Sequence, residues 1–451
     1  MRNEKQLVLN PFLAEGCRHI SFRGNSINSP CHRVGMRTSC FLFLFLFLFS
    51  FLPVGAQRKE LAQARQFIKA KNNLDQAEQM MRKLLADSAN REKHTIWLTL
   101  FEAVKKQYEV GNEKLYLKQQ YDTAQLFIAT KKMFDVLESF DSIDARPDAN
   151  GRIKCKYRRK HSEYLKAHRP NLYNGGAYFV RKHDYAHAYE FFDAYIDCAR
   201  QPLFAHYKYG ERREERGERR EEADPLMPQA AYWASYSGYK MQNAEATLTH
   251  KDLALTDSAH HAYLLQYIAE TYKSQNDTAN YLDMLRQGSE QYPTFRFFYP
   301  RLIDYYIERG RFEEAMTACN NALKANERNL YYRFAKSTAL LNLGRYDECV
   351  ALCDELIAEN DTLADACYNA GAAYYNQTIE LSKNSNTKQQ RAQRMALYKK
   401  ALPYLQRYRA LAPQAQDKWA YPLYTIYLNL NMGREFEEID KLLKNGTNKD
   451  T

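Results

Sequence analysis

His183 and His187 stand four residues apart, the spacing at which two imidazoles on one helix face can hold a metal ion. No glutamate follows as in an HExxH pattern, no third ligand is evident, and His183 falls on a turn of the repeat described below, so no metal is expected. His260 and His261 adjoin at a repeat junction and are expected in solvent. The chain contains no phosphate-binding glycine loop, dinucleotide fingerprint or GxSxG nucleophile turn, so neither catalysis nor a cofactor is expected. What calls for explanation is a surplus of 35 tyrosines in 451 residues. A phenol ring offers a rigid, amphipathic contact at small rotamer entropy, which is why recognition surfaces use it. Its use here depends on the elements that carry the rings.

Those elements are helices. Thirteen prolines and 17 glycines argue against a loop-rich all-β chain, and a mean hydropathy of −0.66 excludes a polytopic membrane protein. Length alone allows two or three domains, but an internal period points to one array. Gly310-Arg311-Phe312-Glu313-Glu314-Ala315 recurs 34 residues later as Gly344-Arg345-Tyr346-Asp347-Glu348-Cys349. Windows of that length starting at 228, 262, 296, 330 and 364, with an earlier one at 169, share further features. Position 8 is small in five of six (Gly176, Ser235, Ala269, Ser337 and Gly371, against Ile303). Position 20 holds Ala188, Thr247, Tyr281, Ala315 and Cys349. Position 15 holds His183, Gln242, Asn276, Gly310 and Gly344; glycine and asparagine suit a left-handed helix end, histidine and glutamine less so. Position 32 holds Pro293, and after an insertion near 377–394 the pattern resumes with Ala401 and Pro413.

This register resembles the tetratricopeptide repeat (TPR). The resemblance implies an all-α, TPR-type α-solenoid, a right-handed superhelix of antiparallel helix pairs that is stable only through its neighbours. It also implies function by binding, through a groove lined by positions 2, 5, 9, 12 and 13. Those positions supply Tyr173, Tyr232, Tyr236, Tyr239, Tyr263, Tyr331, Phe334, Tyr368, Tyr375, Tyr424 and Tyr427. Recognition and packing both remain open as reasons for rings at these positions. The Lys and Asn residues with which one TPR subset grips C-terminal carboxylates are absent, which favours an apolar or extended peptide partner, or alternatively a glycan stacked on tyrosine faces. The chain is similar to exported bacterial envelope TPR proteins, which implies a non-enzymatic scaffold in the periplasm or cell envelope.

Export is also expected from the residues themselves. Phe41 to Leu52 is a 12-residue apolar run, preceded by Arg37 and followed by Val54-Gly55-Ala56. That is a signal peptide rather than a span of about 20 residues. Cleavage is expected after Ala56 and the initiator is expected to be Met36; an uncleaved anchor is the rival. Setting residues 1–56 aside removes six Lys/Arg and two Asp/Glu and lowers the net charge from +11 to +7. With no long basic block, no nucleic-acid partner is expected, and membrane contact only through partners or that anchor.

The expected organisation is then 57–168 as divergent helical hairpins, with one long helix from Lys118 to Phe140, and 169–202 as a repeat. A charged insertion, 203–227, contains the tandem heptads Gly210–Arg216 and Gly217–Ala223. Five repeats follow over 228–414, then capping helices at 415–443 and a polar tail at 444–451. Six cysteines lie beyond residue 56, at 155, 198, 319, 349, 353 and 367. They are expected as reduced core thiols, with Cys353–Cys367 the candidate bridge.

Overall fold

Residues of four kinds adopt one backbone conformation. His183, Gln242, Asn276, Gly310, Gly344 and Asn431 all have φ between 56° and 73°, the left-handed region. In each case the next N–H donates to the carbonyl five residues back, as from Asp184 to Phe179, Asn243 to Gly238 and Arg311 to Tyr306, at 2.8–3.0 Å. This closure ends one helix and reverses the chain. Glycine accepts it without strain, whereas His183 and Gln242 adopt it at a cost of about 1 kcal/mol each. The following residue prepares the second helix. Asp184, Asn243 and Asp277 accept the N–H groups of His187, Ala246 and Asn280 at 3.1–3.2 Å. Arg311 and Arg345 carry no capping oxygen; they pair instead with Glu314 and Glu348 (2.7 and 2.6 Å), carboxylates that a helix N-terminus favours. Second helices consequently start at Ala244, Thr278, Phe312 and Tyr346, spaced by 34 residues.

The computed structural model describes residues 52–207, 209, 224–384 and 387–447. The chain divides into two compact units, Met1–Glu60 and Leu61–Thr451. The signal-peptide run up to Phe51, the tandem heptads and the last four residues lie outside the described residues.

The helices in chain order are α1 (Leu52–Ala70), α2 (Leu74–Ala86), α3 (His94–Tyr116), α4 (Thr123–Asp144), α5 (Arg158–Arg181) and α6 (Tyr185–Asp197). Next come α7 (Leu226–Lys240), α8 (Ala244–Leu248), α9 (Lys251–Ala254), α10 (His261–Ser274), α11 (Thr278–Gln291), α12 (Phe298–Glu308) and α13 (Phe312–Ala325). The series ends with α14 (Leu330–Asn342), α15 (Tyr346–Glu359), α16 (Ala364–Asn384), α17 (Lys388–Leu411), α18 (Gln416–Asn429) and α19 (Gly433–Thr447). No strand occurs among the described residues, and no helix there is long and apolar enough to cross a membrane.

The main contacts join helices of one pair or of adjacent pairs. The small residues mark where pairs cross. A Cβ on Gly176 would lie 2.7 Å from the Phe192 ring, one on Gly371 would lie 2.7 Å from Leu405, and one on Gly238 would overlap the backbone at Ala246. Ala188, Ala269, Ala315 and Ala401 are fully buried. Pro293 and Pro413 each follow the end of a second helix.

Three details differ from the sequence reading. Lys118 takes a positive φ of 54°, and Asp122 caps Ala124, so the helix expected from Lys118 begins only at Thr123. The helix expected at 169 already begins at Arg158 and runs on without a break. His260 does not stand in solvent: it stacks on Tyr232 at 4.3 Å and bonds Asp257 at 2.7 Å.

All six described cysteines are free, Cys353 and Cys367 included. Five are buried and only Cys155 is half-exposed. Burial pushes the Cys198 thiol up, and the Cys319 thiol up to about 12. Thiolate, not thiol, reacts with disulfide reagents. Protein lacking residues 1–56 is therefore expected to release one equivalent rapidly from such a reagent when native and six in denaturant. Three or more rapid equivalents in the native state would show that the helix pairs open.

Two charged groups are folded into the region where α4, α5 and α6 meet. The Arg169 guanidinium, 7% exposed, donates to Asp224 at 2.6 Å and to the Tyr195 carbonyl at 3.1 Å. It lies under the rings of Tyr195 (3.8 Å) and Tyr209 (4.3 Å). Tyr209 and Asp224 flank the heptad segment, so one arginine holds both its ends. Glu138, on α4, points its carboxyl at the Cys198 thiol, 3.9 Å away. Burial, reinforced by Asp135 and Asp197, pushes that carboxyl up to about 8, against the opposing pull of Lys131 and Cys198.

Candidate functional site

The first helices α7 and α10, joined by the start of the second helix α6, carry one aromatic face. α7 packs against α10, and the repeat register brings positions 9 and 12 of one against position 6 of the next. Tyr239 stacks on Tyr267 at 4.6 Å, and Tyr236 approaches the same ring at 5.6 Å. Tyr185, the first residue of α6, meets Tyr236 edge-on at 5.9 Å, and Trp233 meets it at 5.5 Å. Tyr236 and Tyr239 are half-buried.

Their hydroxyls are engaged within the face. The Tyr239 hydroxyl donates to Glu270, and burial together with that carboxylate pushes the phenol up to about 12. Tyr236 is likewise pushed up to about 12 by burial and the Tyr185 hydroxyl. These phenols stay neutral at physiological pH. Toward α12 the face becomes charged: Arg301 lies 3.8 Å from Glu270 and covers the Phe297 ring. A cleft of about 290 Å³ follows, lined by Lys273, Tyr281, Arg301, Asp304, Glu308 and Arg309.

The eleven rings expected in one groove are not all at a surface. Tyr232 and Tyr427 are buried, at 4% and 2% exposure, and act as packing residues. Tyr232 is covered by His260, and Tyr427 accepts a bond from Gln406 at 3.2 Å. Tyr173 rests on Phe192 and Tyr195 and donates to Gln229 at 3.2 Å. Tyr263 and Tyr331 are the most open, at 50% and 38%; Tyr331 donates to the Pro300 carbonyl at 3.2 Å and to Asp304. Phe334 packs with the α14–α16 core. Tyr368 lies on Tyr408, Tyr375 donates to Thr425 at 3.3 Å, and Tyr424 lies on Phe436, all at the C-terminal end. The structure thus joins Tyr236 and Tyr239 into one face with Tyr185 and Tyr267, two rings the sequence reading omitted. The signal that would have found Tyr267 is the register itself, since position 6 faces the preceding repeat.

Elsewhere the histidine pair is taken up locally. His183 bonds the Tyr185 hydroxyl at 3.0 Å, and His187 bonds Asp184 at 2.7 Å and stacks on Phe179. Among the described residues, no three His, Cys, Asp or Glu side chains converge as a metal site requires.

No family model matches the chain, and no curated protein does. Among solved structures it is similar to the C-terminal part of a TPR repeat-containing protein from Cytophaga hutchinsonii, at 11% identity over 60% of this chain and 93% of that one (TM-score 0.38). It is also similar to a tetratricopeptide repeat protein from Parabacteroides merdae, at 16% identity over 58% and 97% (TM-score 0.32). A third is the TPR2AB domain of yeast Sti1 in complex with an HSP90 peptide, at 14% identity over 73% and 98% (TM-score 0.26). The fold follows from the chain's own geometry: paired helices, a left-handed residue closing the turn within six of the pairs, and second helices recurring every 34 residues. By that register the chain is a tetratricopeptide-repeat α-solenoid.

Proposed function

We propose that this chain is an exported, non-enzymatic scaffold that captures a peptide segment of a protein partner on the first-helix aromatic face, in the periplasm or cell envelope. The observation that carries the binding reading is the run of Tyr185, Tyr236, Tyr267 and Tyr239, with successive ring centroids 4.6–5.9 Å apart and Trp233 beside it. A repeat array needs small residues where its helices cross, and it has them at Gly176, Gly238 and Gly371. Half-exposed rings beyond those crossings are available to an extended peptide, whose apolar side chains would lie on the ring faces. Export is supported by the Phe41–Leu52 run and the small residues before Gln57.

The test is selection of a displayed random-peptide library on residues 57–451, followed by the Tyr236→Ala/Tyr239→Ala variant. Affinity for the enriched peptides is expected to fall at least about 10-fold, the loss typical of truncated aromatic anchors. The melting temperature is expected to move by only a few degrees, because both rings are half-exposed. Unchanged affinity with a large drop in stability would make the rings packing residues and overturn the reading.

A further inference from the structure

The second helix of the lengthened pair, α17, carries the largest net positive charge of the described helices. Its 24 residues carry seven lysines and arginines and no aspartate or glutamate. The pair α16–α17, at 21 and 24 residues, exceeds the repeat frame, and the added turns bring Lys388, Arg391 and Arg394. From Lys388 to Arg407 the exposed positions of α17 are Lys, Arg, Gln, Ala and Pro only. Lys388 and Lys399 share one face, separated by three turns or about 16 Å, with Ala392 exposed between them and Pro403 beyond.

Acids on the helices beside α17 have partners of their own: on α16, Asp365 lies 3.7 Å from Lys418 and Glu380 accepts the Tyr346 hydroxyl. On α15, Arg333 takes Glu355 and Glu359 at 2.9 and 2.6 Å, Arg345 takes Glu348, and Asp354 accepts the Tyr404 hydroxyl. The ion pairs that α17 does make lie toward its C-terminal end, Arg407 with Asp361 and Arg409 with Glu438. Lys388 and Lys399 make no ion pair among the described residues. The face offers no large apolar side chain to enter a bilayer and no exposed ring to stack a base. Its small central residues allow a backbone to approach closely while carboxylates meet the flanking cations.

We infer that α17 is the docking site for an acidic polypeptide segment, a stretch of Asp and Glu laid along the face between Lys388 and Arg407. The site is on a second helix and does not depend on the aromatic face of the first helices.

The test is fluorescence anisotropy with labelled poly-L-glutamate of about 20 residues, long enough to span the face, added to residues 57–451. Binding is expected at low salt, weakening at least about 10-fold by about 0.5 M salt as screening sets in. Lys388→Glu/Lys399→Glu is expected to lose at least about 10-fold, Lys388→Gln/Lys399→Gln an intermediate amount, and Lys388→Arg/Lys399→Arg little. All three should melt as the parent does, since both lysines are exposed. Polyglutamate binding that charge reversal leaves unchanged would overturn the inference. So would co-sedimentation of the parent with phosphatidylglycerol vesicles without polyglutamate binding, because the surface would then be lipid-directed.

Discussion

Replacing Arg169 with methionine is expected to lower the unfolding free energy by about 3–5 kcal/mol, the loss typical when one member of a buried ion pair is removed. Arg169 and Asp224 are 7% and 14% exposed, so the carboxylate left behind would be desolvated without its cation. Burial alone pushes the Asp224 carboxyl up, but the Tyr195 hydroxyl and Arg169 together outweigh it and hold the group below its ordinary range. A carboxylate depressed in this way contributes stability above its unfolded pKa and loses it as pH falls through the folded value. The gap between parent and variant should therefore be full at neutral pH and close in acid. Arg169→Met/Asp224→Asn removes both charges and should recover most of the loss, because no uncompensated charge then remains. Urea midpoints measure this directly; a single variant with an unchanged midpoint would reduce the pair to an incidental contact.

Glu138→Gln should act in the opposite direction, by an amount that grows as pH rises above the ordinary glutamate range. A carboxyl pushed up to about 8 is protonated in the folded chain at neutral pH and ionised in the unfolded chain. A raised pKa gives stability that is complete below the unfolded value and is lost as pH rises through the folded value. Between about pH 4.5 and 8 the parent should lose on the order of 1.4 kcal/mol per pH unit through this one group. Glutamine keeps the neutral shape and does not titrate. The variant should match the parent near pH 4 and exceed it by a few kcal/mol at pH 9. Parallel stability curves for the two proteins across pH 5–9 would eliminate Glu138 as the source. Cys198 lies between Glu138 and the Arg169 site, so the two substitutions should not be additive.

The repeat was legible in the sequence because its determinants are local. A left-handed residue followed by a cap or an Arg–Glu pair ends one helix and starts the next within four residues. A small side chain is needed wherever two helices cross. Even the weaker turns at His183 and Gln242 conform, because their flanking helices impose the closure. The aromatic face was legible only in part. Position within the repeat gives the direction in which a ring leaves its helix, but not what covers it. Tyr232 is hidden by His260, which arrives from the next junction, and Tyr427 by contact with α17. Arg169 looked like an ordinary helix residue because its partner is 55 positions away in sequence, across the heptad insertion. Glu138 gave no sign at all: its shift depends on burial between helices and on Asp197 from α6.

Because the helices pack mainly within a pair or onto the adjacent pair, the array has low contact order. Load applied along the chain is then resisted by one inter-pair interface at a time rather than by a single latch. Extension should proceed in steps of about one repeat, with pairs re-forming independently as tension is released. A binding array built this way yields under strain without losing the pairs that remain folded.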